Sequence, residues 1–90
     1  KTKKIIIEVI QEIDDSIINN DIAVLSVSSI KQLTSFKIIF LDILEKINND
    51  NIPLKQERNL GISKIIIDQW PFSLALGALI IKAENSYKNM

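Results

Sequence analysis

The chain contains no cysteine and no histidine, and only two glycines and two prolines among its 90 residues. Without cysteine there can be no disulfide, thiolate metal site or thiol nucleophile, which fits a reducing compartment, and the cytoplasm is the expected location. Without histidine as well, catalysis would have to rest on carboxylates, lysines, serines or the single tyrosine. Gly61 and Gly77 stand far apart and form no phosphate-cradling loop, so neither a P-loop nor a dinucleotide-binding fold is expected.

An excess of either charge is missing too. Eleven basic residues balance eleven acidic ones, which removes the overall electrostatic footprint of a nucleic-acid or anionic-membrane binder. Any electrostatic partner must be recognised locally. Long apolar runs are absent: Glu8 and Glu12 interrupt the run that follows Lys1-Thr2-Lys3-Lys4 before it could serve as an export signal. The stretch from Trp70 to Ile81 falls short of the ~20 residues a membrane-spanning helix needs.

What is abundant is isoleucine, with twenty copies. Apolar residues make up 47% and charged residues 24% of the chain, ordinary values for a globular protein and not those of a disordered one. Residues 1–90 are expected to form a single domain with its own core.

Ile6, Ile10, Ile13 and Ile17 recur at steps of four and three with Val9 beside them, which predicts a helix over residues 3–19. Glu8, Gln11, Glu12 and Asp15 fall on its opposite face. Isoleucine is a mediocre helix former, so tertiary burial must hold the segment helical. Asn19-Asn20-Asp21 reads as a turn that caps a short helix to about Val27. Ser28 or Ser29 then caps a second long helix over 30–47, with Leu33, Phe36, Phe40, Ile43, Leu44 and Ile47 on one face. Asn48-Asn49-Asp50-Asn51 ends it through competing side-chain hydrogen bonds.

Pro53 suits the first turn of a third helix, with Lys55-Gln56-Glu57-Arg58 as its exposed turn. Ile65-Ile66-Ile67 fits either a buried helical turn or a short strand, so residues 62–68 carry both options, with helix preferred. Pro71 predicts a break at Trp70. The last helix runs over 73–87, and its first half is expected to be buried nearly all round, with Ala75, Gly77 and Ala78 allowing close approach of a neighbour. The fold class is all-α, a compact bundle of four or five helices.

Several motifs invite a functional reading. Ser28-Ser29-Ile30-Lys31 matches S-x-x-K, but the companion motifs of that enzyme class are missing, and a cap followed by a solvated lysine is the stronger reading. Glu8, Glu12 and Asp15 lie one turn apart on a solvent face without the ordered spacing of a calcium loop, and Asn48 to Asn51 also lacks that order. No metal or cofactor is expected. Asp21 to Leu33 echoes a helix-turn-helix, but its helices are too short and its turn glycine is absent, so nucleic acid is not the expected partner.

Two surfaces remain as candidate contacts. Five acidic residues and no basic one lie between Glu8 and Asp21, and the aligned Glu8, Glu12 and Asp15 could meet a basic partner. Ile38 and Ile39 turn toward the face of Ser35, Asp42 and Lys46, away from the apolar stripe of their helix, where exposed apolar groups would mark an interface. Trp70-Pro71-Phe72 places two aromatics at a helix break, where anchoring the core is the stronger role. The expected function is non-enzymatic binding of another protein, in the manner of an inhibitor or immunity protein that masks a toxin or enzyme. The alternatives are self-association through Ile38 and Ile39 and a DNA-binding regulator acting through Ser26 to Leu33.

Overall fold

A stripe of isoleucines stays helical only if neighbouring elements cover it. In the computed structural model, which describes residues 1–90, the elements in chain order are α1 (Thr2–Ile18), α2 (Ile22–Leu25), α3 (Ile30–Asn48), α4 (Ile62–Gln69) and α5 (Ala75–Lys88). Helices take up 72% of the chain and no strand is present, so the protein is an all-α bundle. α1 packs against both α3 and α5, and α4 packs against α5. Ile6, Val9 and Ile13 of α1 are fully buried. Burying one such side chain contributes about 1.5–3 kcal/mol, against a helix-propensity cost of at most ~0.7 kcal/mol, so packing decides the conformation.

From α3 come Leu33, Phe36, Phe40 and Ile43, and from α5 Leu76, Ile80, Ala83 and Tyr87, all part of the same core cluster. Two polar contacts fix the register of α1. The hydroxyls of Thr2 and Ser86 lie 2.7 Å apart, and Lys37 Nζ is 2.6 Å from Asp14 Oδ1. Because Thr2 opens α1 and Ser86 lies near the end of α5, those two helices run antiparallel.

The helix ends follow local chemistry. Asp21 accepts from the Val24 amide at 3.3 Å and Ser29 from the Gln32 amide at 3.0 Å, capping α2 and α3 at their N-termini. α1 and α3 stop by one shared device. Asn20 and Asp50 have φ of 49° and 54°, the amide of Asp21 donates to the Ser16 carbonyl, and that of Asn51 donates to the Lys46 carbonyl. These are Schellman closures. Both runs therefore end their helices through left-handed backbone at one residue; for Asn48 to Asn51 this replaces the competing side-chain bonds expected from the sequence.

Two further expectations change, and one open choice is settled. Pro53 does not open an α-helix: only a 3-10 turn forms at Lys55–Glu57, and Arg58, expected in an exposed turn, is buried. Residues 62–69 are helical, the option preferred from the sequence. The first half of α5 is not covered all round, since Ala78 is exposed and Leu74 and Ile81 are half-buried.

The break at Trp70 occurs where Pro71 requires it, with Trp70 extended at φ −106°, ψ 143°. Trp70 folds back on α5 over Gly77. A Cβ at Gly77 would stand 3.1 Å from Ile66 Cγ2 and 3.2 Å from Trp70 Cε3, so the missing side chain is what lets α4 and α5 approach this closely.

Candidate functional site

The outer face of α1 carries Glu8, Glu12 and Asp15, all exposed. At 100° per residue they fall within a narrow arc, one turn beyond Lys4. The protein's two ion pairs involve other carboxylates, Asp14 with Lys37 and Asp42 with Lys46, so the three on the stripe are free to meet a partner. No three acidic groups converge closely enough to hold a metal ion. Beyond the stripe, at the end of α1 and the start of α2, Ile18 is 75% and Ile22 84% exposed. Neither was singled out from the sequence as a surface group. The signal available was their position beside the Asn19-Asn20-Asp21 turn, beyond the reach of α3 and α5.

Ile38 and Ile39 lie on a separate surface. Ile38 is 59% exposed and Ile39 is half-buried. Together with Asp42 and Lys46 they form one wall of a groove whose other side includes Pro53, Asn59 and Leu60. Ile39 and Leu60 also border a second depression, beside Lys31 and Ser35. Lys46 Nζ lies 3.0 Å from Asp42 Oδ2. The hydrogen bond to the Asp42 carboxylate, and then its negative charge, hold the Lys46 ammonium above its ordinary pKa. The groove is therefore lined by a mixture of apolar and polar side chains and carries an exposed Lys46–Asp42 ion pair.

The S-x-x-K serine is engaged elsewhere, its hydroxyl donating to Gln32 Oε1 at 2.5 Å. In the region that echoes a helix-turn-helix, α2 is a single turn of four residues, and Lys37 is committed to Asp14.

Two charged residues that sequence reasoning passed over are interior. Arg58 donates through Nε to the Pro53 carbonyl at 2.8 Å and through Nη1 to the carbonyls of Tyr87 at 3.3 Å and Met90 at 3.1 Å. Its guanidinium also lies 5.8 Å from the centre of the Tyr87 ring, within cation–π range. Glu84 is only 1% exposed and accepts from the Leu60 and Ser63 amides, each at 2.8 Å. These are structural ties. One closes the C-terminus of α5, where carbonyls lack partners, and the other closes the N-terminus of α4, where amides do.

No protein-family model matches the chain, and no curated protein matches it significantly.

Proposed function

We propose that the chain is a non-enzymatic, stoichiometric protein-binding module of the inhibitor or immunity type, which masks a basic surface on a toxin or an enzyme. Glu8, Glu12 and Asp15 make the contact. The observation that carries this reading is that these aligned carboxylates are exposed and free of internal ion pairs, while the next acidic residue round the helix, Asp14, is tied to Lys37. A stripe of one sign on a rigid helix speeds capture of an oppositely charged surface. Ile18 and Ile22, at 75% and 84% exposure, add apolar area at one end of it, and binding energy in interfaces concentrates in such desolvated groups.

The test is affinity capture of the tagged chain from its native lysate at low and high salt, with the partner then purified and titrated against wild type and Glu8→Lys/Glu12→Lys/Asp15→Lys. A basic partner bound one to one by the wild type, and lost on charge reversal, supports the reading. Equal binding by both proteins overturns it.

A second reading, self-association through α3, is favoured by the 59% exposure of Ile38 beside an open, partly apolar groove. Replacing Ile38 and Ile39 with lysine would then turn an oligomer into a soluble monomer.

A further inference from the structure

Ile38 stands at the centre of the outward face of α3. Helix geometry sets it about 160° round from both Phe36 and Phe40, which belong to the core, and it is 59% exposed. Seven residues before it is Lys31 and seven after it Glu45, both exposed and neither engaged in an ion pair of its own chain. Seven residues are almost two turns, so the three side chains fall on one line along the helix. We propose that two copies of the chain pair along this line, α3 antiparallel to α3, about a two-fold axis that passes through Ile38. The proposal rests on the reading of self-association through α3 and gives it a register.

The placement of charge selects a second copy as the partner. A two-fold axis across a helix sets each residue before Ile38 against the residue equally far beyond it in the other copy. Lys31 therefore meets Glu45 of the second copy, Glu45 meets Lys31 of the second copy, and Ile38 packs on its own counterpart. Thr34 falls opposite Asp42 and Ser35 opposite Leu41, so no like charges are opposed. A parallel pair would set Lys31 against Lys31 and Glu45 against Glu45, and like charges brought together are unfavourable. Opposite signs at equal distances from an exposed apolar residue are what a self-complementary contact requires, whereas an unrelated partner places no such demand on this chain.

The apolar centre consists of Ile38 and Leu41, 59% and 43% exposed and one turn apart. The methylene stem of Lys31 extends it at one end. From Lys31 to Glu45 the line measures about 21 Å at 1.5 Å per residue, and it is held straight because the opposite side of α3 is fixed in the core by Leu33, Phe36, Phe40 and Ile43. The other charges near the line are already matched, Lys37 by Asp14 and Asp42 by Lys46. A contact between single helices is smaller than a standard interface, so the dimer is a weak one that forms and dissociates with concentration. It uses none of the carboxylates of the α1 stripe.

Sedimentation velocity at low salt, from micromolar to millimolar protein, tests the register by exchange of charge. Wild-type mass rises toward twice the monomer mass. Lys31→Glu and Glu45→Lys each turn two attractions into two repulsions and weaken association by about tenfold, with helical circular dichroism unchanged. The double variant Lys31→Glu/Glu45→Lys restores both contacts with their signs exchanged and returns association to within about twofold of wild type. Mixing the two single variants restores it as well, because one copy then offers acids at both positions and the other offers bases. A double variant as weak as the single ones, or a mixture no better than its parts, overturns the proposal; if that dimer is still lost on Ile38→Lys, the reading of self-association through α3 stands without this register. Wild type that stays monomeric at millimolar concentration, or a dimer indifferent to Ile38→Lys, overturns both.

Discussion

The carboxylate of Glu84, in the middle of α5, accepts the amide hydrogen of Ser63, in the first turn of α4, at 2.8 Å, and its other oxygen takes the Leu60 amide at the same distance. The group is almost wholly shielded from water. Glu84→Ala would take the acceptor from two part-buried amides, and a loss of about 1–3 kcal/mol is expected in urea unfolding. Glu84→Gln keeps one acceptor oxygen in place and should lose less. If the alanine variant is as stable as wild type, the tie between α4 and α5 is ornamental.

Arg58 does the complementary work at the C-terminal end of α5, donating to the carbonyls of Tyr87 and Met90 there and to that of Pro53. A lysine carries one compact ammonium and cannot span three acceptors from a planar fork. Arg58→Lys should therefore lose nearly as much stability as Arg58→Ala, about 2 kcal/mol or more, and hydrogen exchange should show the last turn of α5 fraying in both.

Trp70 and Phe72 are two positions apart and should respond oppositely. Trp70 is 4% exposed and Phe72 90%. Trp70→Ala should cost about 3–5 kcal/mol through the void it leaves, while Phe72→Ser should stay within about 0.5 kcal/mol of wild type. Trp70→Phe should fall between, because the indole Nε1 is buried without an acceptor and its removal offsets part of the lost volume. Chemical denaturation of the three variants is sufficient to rank them.

Two turn positions should move stability in opposite directions for backbone reasons alone. Gly61 has φ +75° with open space around the position of a Cβ, so Gly61→Ala should cost about 1 kcal/mol from left-handed strain. Asp50, at φ 54°, carries that strain already, and Asp50→Gly should gain about 0.5–1 kcal/mol. Thermal melting distinguishes them. Destabilisation by Asp50→Gly would mean that its side chain matters more than its backbone.

The stripe of α1 can be neutralised without disturbing the fold. Glu8→Gln, Glu12→Gln and Asp15→Asn together should leave the unfolding midpoint nearly unchanged, since all three side chains are exposed and unpaired. Association with a basic partner should slow by about tenfold at low salt and approach wild-type behaviour at high salt. Stopped-flow or surface-based kinetics would read both.

Periodicity makes α1, α3 and α5 legible in the sequence, because each buries a stripe against neighbours and a buried stripe leaves a repeat of three and four. The segment from Asn51 to Gly61 leaves no such repeat. Lys55-Gln56-Glu57-Arg58 looks uniformly solvated, yet Arg58 turns inward to carbonyls 29 and 32 positions away, and a backbone acceptor has no side-chain signature. Glu84 could have been found: it stands four residues after Ile80 and three before Tyr87, a lone carboxylate on an apolar stripe. Trp70 and Phe72 were not separable, because two aromatics flanking a proline look alike until the chain direction through Pro71 is known. Of the candidate contacts, the exposure of Glu8, Glu12 and Asp15 follows from helix geometry. The half-burial of Ile39 has no such signature, since it lines depressions whose far side includes Leu60, 21 positions away.

The bond between Thr2 and Ser86 joins positions 84 apart. Synthesis proceeds from the α1 end, so α1 and α3 can pair while α5 is still unmade. Until α5 emerges from the ribosome, the flank of α1 that it will cover stays open, a row of isoleucines with nothing to bury it. For so helical a protein that is a late closure, since contacts between distant positions slow folding and leave apolar surface available to other molecules meanwhile. A chain stalled short of Ala75 would therefore keep that apolar flank open to other molecules.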